Sequence, residues 1–294
     1  MRILENEKLM VQIADLGAEL TSVLDKESGL DRMHDGDPKV WPRHAPFLFP
    51  FVGRVVDGVY RVGEKEYSMD LQHGFARDLV LECVEKSYKK VVHKLVSTES
   101  TKEIYPFDFE LYITHELEEE NPRLLKISWE VKNTGDHTMY YFIGGHPGFS
   151  LPETDPKAKE EYYLEFEGKE SITYFGVNEQ SGFAAPGETK TLPLEQGILK
   201  FHPDIYITLI FDEPKFSKVR ILRPDKTPYI TMECSQFEGF GIWSKEEGNY
   251  ICLEPWKGRT DDHGFTGKID EKFGVQILEQ GESHLISHSI EFHK

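Results

Sequence analysis

Basic residues are scarce against acidic ones: 34 lysines and arginines face 52 aspartates and glutamates, a formal charge of −18. Such a field repels nucleic-acid phosphates and anionic lipid surfaces, which excludes nucleic-acid and membrane-surface roles and leaves a neutral small molecule as the easier partner. Cysteine is rarer still. Cys83, Cys234 and Cys252 form no C-x-x-C pair, which argues against a disulfide framework or a local zinc motif and suits a reducing cytoplasm. All three read as buried thiols. No apolar run approaches the roughly 20 residues of a membrane span. The opening Met1-Arg2-Ile3-Leu4-Glu5-Asn6-Glu7 has no apolar signal-peptide core, so a cytoplasmic location is expected. Also absent are G-x-S-x-G, G-x-x-x-x-G-K-[ST], H-E-x-x-H and G-x-G-x-x-G, and with them the serine-hydrolase elbow, the P-loop, the zincin helix and the dinucleotide fold.

What is present has a period of two. In Leu125-Lys126-Ile127-Ser128-Trp129-Glu130-Val131-Lys132 every odd residue is apolar and every even one polar, the mark of a half-buried strand. Asn133-Thr134-Gly135-Asp136 then closes it as a turn. Residues 107–114 alternate likewise, and further strands are expected over 8–14, 59–67, 91–97, 162–166, 208–211, 219–222, 229–233, 241–243 and 286–292. Helical signals are few, with one short turn expected over 155–161. The acidic run 116–122 reads as a solvated hairpin tip. With no repeat and no Gly/Ser or Pro linker, residues 1–294 are expected to form one large antiparallel, all-β sandwich domain.

Four stretches carry chemistry. In Gly144-Gly145-His146-Pro147-Gly148-Phe149 a strand runs into glycines that admit close backbone approach, and Pro147 biases His146 toward extended geometry. Residues 41–54 hold Pro42, Pro46 and Pro50, which exclude a helix, and end on Arg54, a rigid fork of donors suited to hydroxyl or carboxylate oxygens. Gln72-His73-Gly74-Phe75-Ala76-Arg77 supplies a second histidine, which taken alone reads as structural. In Ile251-Cys252-Leu253-Glu254-Pro255-Trp256-Lys257-Gly258 a carboxylate ends an apolar strand, where desolvation would raise its pKa and make it a better base. His73 and His146 match no standard zinc spacing, which leaves only distant ligands open.

Together with Gly17-Ala18-Glu19-Leu20 and Ile242-Trp243-Ser244, these segments resemble the aldose 1-epimerase (galactose mutarotase-like) family, most closely its compact LacX-type bacterial branch. They stand in family order and span nearly the whole chain. The resemblance implies a twisted β-supersandwich with a sugar cleft, and interconversion of the α- and β-anomers of a free aldohexose with no metal and no other cofactor. It implies Glu254 as general base, His146 as general acid, and Arg54 and His73 as substrate contacts. It also implies an aspartate against the sugar hydroxyls, for which Asp204 is preferred over Asp212. Trp256 is a candidate to pack on the sugar's apolar face, or else core.

The chemistry fits those residue types. Ring opening takes a proton from the C1 hydroxyl and delivers one to the ring oxygen, and closure reverses both. An ionised Glu254 and a protonated His146 with modest pKa shifts would serve, facing each other across a gap one pyranose wide. Two alternatives stand beside this reading. One is a hexose-6-phosphate 1-epimerase whose phosphate site draws on Arg43, His44 or Arg77; the other is a carbohydrate-binding protein without turnover. Exposed sheet edges allow a monomer or a homodimer.

Overall fold

The computed structural model describes residues 1–178, 180–203, 209–212 and 216–294. Its largest unit is an antiparallel sheet that runs, edge to edge, Ile198–Lys200, Tyr163–Phe166, Lys218–Leu222, Pro228–Glu233, Ser283–Phe292, Leu124–Asn133, Phe109–Leu117, Lys90–Val96 and Glu82–Lys86. The alternation in the chain sets its faces. Along Phe109–Leu117 buried and half-buried residues alternate without a break. In Leu124–Asn133 the odd positions Leu125, Ile127, Trp129 and Val131 are buried. Register follows, because a slip by one residue would turn all four outward. Ile127 therefore pairs with His115 on one side and His288 on the other. The acidic run forms the connection between the two strands, as expected, although Glu116 and Leu117 still pair with Lys126 and Leu125.

A second sheet lies against the first, in the order Leu209–Asp212, Gly239–Trp243, Tyr250–Lys257, Ile143–Gly145, Phe47–Leu48, with Gly148–Ser150 also paired to Tyr250–Lys257. The Phe47 ring meets Trp129 at 5.3 Å between centroids, joining the layers. Fully burying one such aromatic is worth about 1.5–3 kcal/mol, so the aromatic seam between sheets carries much of the core. Tyr250–Lys257 is buried nearly throughout, which explains why it reads as a continuous apolar run rather than an alternating one.

Three expectations are corrected. Residues 59–67 are not one strand but a hairpin, Val59–Val62 with Lys65–Ser68, because Gly63 turns the chain at φ +57°. A six-residue α-helix, Glu99–Ile104, was not expected; a reciprocal cap between Thr98 and Thr101 starts it. Cys83 is only half-buried, whereas Cys234 and Cys252 are buried. The turn expected over 155–161 is a 3₁₀ segment, Pro156–Glu161. Among the described residues no helix is long and apolar enough to cross a membrane.

Candidate active site

The strand Tyr250–Lys257 places Tyr250, Cys252, Glu254 and Trp256 on one face by its two-residue period. Glycines on the flanking strands make room for them. Gly241 pairs with Glu254, and a Cβ there would sit 2.3 Å from the Trp256 ring. Gly144 pairs with Trp256 from the other side, where a Cβ would lie 2.7 Å from the same indole. Gly148 pairs with Cys252, and a Cβ there would strike Trp41 at 2.9 Å. The glycines around His146 thus serve to seat two indoles beside the carboxylate.

His146 is held by its backbone and its ring. Its N–H donates to the Pro46 carbonyl at 3.1 Å. The ring packs against Trp41 at 4.8 Å and edge-on to Trp243 at 5.4 Å. Its Nε2 lies 3.3 Å from Oε2 of Glu254. The two groups therefore touch; they do not flank a pyranose-wide gap. The reason is strand pairing: the segments on either side of His146 both pair with the strand that carries Glu254, which sets the two side chains next to each other.

His73 is fixed by a pair of hydrogen bonds. Its N–H donates to the Gly53 carbonyl at 2.7 Å, and the Gly53 N–H donates back to Nδ1 at 3.0 Å. Nδ1 is thereby an acceptor, so the proton of the neutral ring sits on Nε2. Gln72 Nε2 lies 3.2 Å from that nitrogen but is itself a donor, its Oε1 being turned to Arg54, so it does not accept the His73 proton. His73 has φ +67°, a conformation that L residues rarely adopt, and Gly74 follows at +70° against the Phe49 carbonyl. The Ala76 N–H donates to that carbonyl at 3.1 Å, stitching the 72–77 loop to the proline-rich segment.

These groups line a cavity of about 550 Å³, roomy enough for a small ligand. His146, Glu254, His73, Arg54 and Trp256 all border it. Arg54 donates to Gln72 Oε1 at 3.3 Å and has no carboxylate partner among the described residues. Asp204 lies outside the described residues. Asp212, the alternative, accepts from Arg259 Nε at 2.8 and 3.0 Å. The cavity wall also includes Trp41, Gln72, Arg77, Trp243 and Lys245, for which sequence reasoning named no free-sugar role. Trp41, from the proline-rich loop, and Trp243, from the strand Gly239–Trp243, come to His146 only in the folded chain. Lys245 carried no signal.

Burial sets the charges. Desolvation pushes the Glu254 carboxyl well above its ordinary range, while the Trp256 N–H pulls weakly downward through an approach too loose for a regular hydrogen bond. Desolvation first, and Arg77 nearby, push His146 down to about 3. His73 is also driven well below its usual value, by burial and then by His146, Arg77 and Arg54. The upward shift expected of Glu254 is found, and His146 shifts down instead of staying near neutrality, so burial favours the neutral form of both groups. Cys252, Glu254 and His146 also bring three ligand-type atoms within 4.8 Å of one another.

The fold and site are thus an antiparallel β-sandwich that holds a touching carboxyl–imidazole pair at a cavity for a small molecule. The chain belongs to the aldose 1-epimerase family, whose model matches residues 2–291. It is 28% identical over 263 residues, 87% of either chain, to the plasmid and chromosomal LacX proteins of Lactococcus lactis subsp. lactis. A galactose mutarotase-like protein from Lactobacillus casei superposes with TM-score 0.91 at 29% identity over 100% of both chains. A galactose mutarotase related enzyme from Lactobacillus acidophilus gives 0.90 at 29% identity, covering 99% of this chain and 97% of that one.

Proposed function

We propose that this protein is an isomerase that interconverts the α- and β-anomers of a free aldohexose by acid–base ring opening and reclosure. The observation that carries the reading is the 3.3 Å contact between His146 Nε2 and Glu254 Oε2 at the cavity. The pair holds one mobile proton. Burial favours its place on Glu254. When sugar hydroxyls and Arg54 replace the water the pair has lost, the proton crosses to His146, giving a carboxylate base beside an imidazolium acid. Glu254 takes the proton of the C1 hydroxyl as His146 delivers one to the ring oxygen, and the C1–O5 bond breaks. The aldehyde turns about C1–C2, the ring closes from the other face, and both protons return. No charge is added to the pocket at any stage, and the groups exchange roles each cycle. His73 offers its Nε2–H to a sugar oxygen, and Trp256 offers an apolar wall.

One observation favours a second substrate. Arg54, Arg77 and Lys245 border the cavity, where Glu254 is the only carboxylate among the described lining residues. This supports the hexose-6-phosphate reading, although Arg43 and His44 are engaged elsewhere, with Asp78 and Glu19. Polarimetry of freshly dissolved glucose, galactose and glucose 6-phosphate separates the cases. The proposal expects free hexoses to equilibrate faster with protein than without. Acceleration of the phosphate alone would move the assignment to the second reading, and calorimetric sugar binding with unchanged decay would reduce the protein to a sugar binder.

A further inference from the structure

Cys252 has no part in the acid–base scheme, yet it stands one strand period from Glu254 on the same face, fully buried, and its strand partner is Gly148, two residues past His146. One nitrogen, one sulfur and one oxygen atom of these three side chains lie within 4.8 Å of one another. Three atoms that close leave a point no farther than about 2.8 Å from each, against bonds to zinc of about 2.3 Å for sulfur and 2.0–2.2 Å for nitrogen and oxygen. Small side-chain rotations close the difference. The donor set is also selective. Imidazole, thiolate and carboxylate together suit zinc and its analogues, whereas magnesium and calcium take oxygen ligands and have no use for sulfur. His146 and Glu254 border the cavity, although Cys252 does not, so a fourth ligand, a water or a sugar oxygen, would come from their side.

We propose that His146, Cys252 and Glu254 form a binding site for a thiophilic divalent cation of the zinc class, and that its occupation shuts the enzyme off. The ion takes Nε2 of the imidazole, the nitrogen that already meets Glu254, together with the sulfur and a carboxylate oxygen, and two protons leave to solvent, the thiol's as the metal–sulfur bond forms and that of Glu254 as the metal–oxygen bond forms. The inhibitory half rests on the acid–base reading above; the binding half does not. A dedicated zinc centre braces its histidine through the second ring nitrogen. His146 Nδ1 is buried with no hydrogen-bond partner among the described residues, so the site lacks that brace and its occupancy is exchangeable.

Cobalt(II) reports the site optically, through sulfur-to-metal charge transfer in the near ultraviolet and intense visible bands from low coordination number. The Cys83→Ser/Cys234→Ser double variant leaves Cys252 as the one thiol of the chain. Titrated with cobalt(II), it should develop the charge-transfer band at one ion per chain, and zinc(II) should displace the cobalt and erase the band. Cys252→Ser in the otherwise natural chain should lose the band and weaken zinc binding on the order of 100-fold or more. The absence of a charge-transfer band in the double variant, or a band that persists in Cys252→Ser, would overturn the site. If Cys252→Ser fails to fold, the double variant alone decides. Stoichiometric zinc should also abolish mutarotation, and EDTA should restore it. Cobalt spectra as expected with mutarotation untouched by zinc would uphold the site but overturn its inhibitory role and count against the acid–base reading.

Discussion

At the scale of single residues, the deciding feature is where one proton resides. Burial disfavours both charged forms and outweighs the attraction that contact would give an ion pair, so Glu254 and His146 each shift toward the neutral form. This gives a specific pH profile. Below about 3 His146 gains a second proton for the pair, and above the raised value of Glu254 the last one leaves. Activity per free enzyme should therefore show no acid limb near the ordinary histidine value of 6.5, with a basic limb set by the pair as a whole. An inflection near 6.5 that vanishes in His146→Asn would mean that the imidazole titrates as an exposed group and that the neutral pair is wrong. His146 and Glu254 were legible as chemical candidates because each breaks an apolar run beside glycine or proline. Their contact and their charge were not, since both depend on neighbours distant in the chain.

At the scale of elements, strands with strict alternation were readable and the rest were not. Leu124–Asn133 and Phe109–Leu117 have one face to core and one toward water, so their period is written in the chain. Glu99–Ile104 owes its existence to a Thr98–Thr101 cap rather than to an apolar stripe, and no periodicity announces it. The short outer strands Arg2–Glu5 and Leu20–Asp25 similarly follow from pairing with Leu9–Ile13. The floor of the site is an element-scale device: glycines on neighbouring strands hold open the space for Trp256. Gly241→Ala would push a methyl to within 2.3 Å of that ring. It should cost about 1–3 kcal/mol of stability by overpacking and raise KM by displacing the indole beside Glu254. Gly145→Ala is the control, because its Cβ would meet Trp129 at an ordinary 3.5 Å. Urea melts and steady-state kinetics on the two variants check this; equal behaviour would mean the glycine at 241 is not there to seat Trp256.

At the scale of the molecule, the seam between the sheets contains histidines that must stay neutral. His115 and His288 are fully desolvated and pushed down to about 3, His115 also by its neighbours His93 and His288. Unfolding frees them to bind protons near 6.5, so their contribution is complete above that pH and is lost as pH falls toward 3. Glu254 acts in the opposite sense, since a carboxyl held protonated contributes at low pH and loses its contribution as pH rises through its raised value. Asp15 and Asp25, held below the ordinary carboxylate range by Arg2 and by Arg32 and Arg123, add acid sensitivity only at the lower end of the window. The urea midpoint should therefore drop on acidification from pH 7 to 4.5, before ordinary carboxylates titrate and with Glu254 opposing the two histidines, and the drop should be shallower in His288→Gln. An unchanged slope in that variant would remove the buried histidine from the explanation.

The whole account turns on proton exchange between Glu254 and His146, and one measurement addresses it most directly. Optical rotation of freshly dissolved α-D-glucose or α-D-galactose is followed with natural protein and with Glu254→Gln, after circular dichroism has confirmed that the variant keeps its fold. The natural protein should accelerate the decay, and the variant should be slower by on the order of 10²–10⁴, the usual contribution of one acid–base group. A folded Glu254→Gln that equilibrates the sugar at the natural rate would contradict the account.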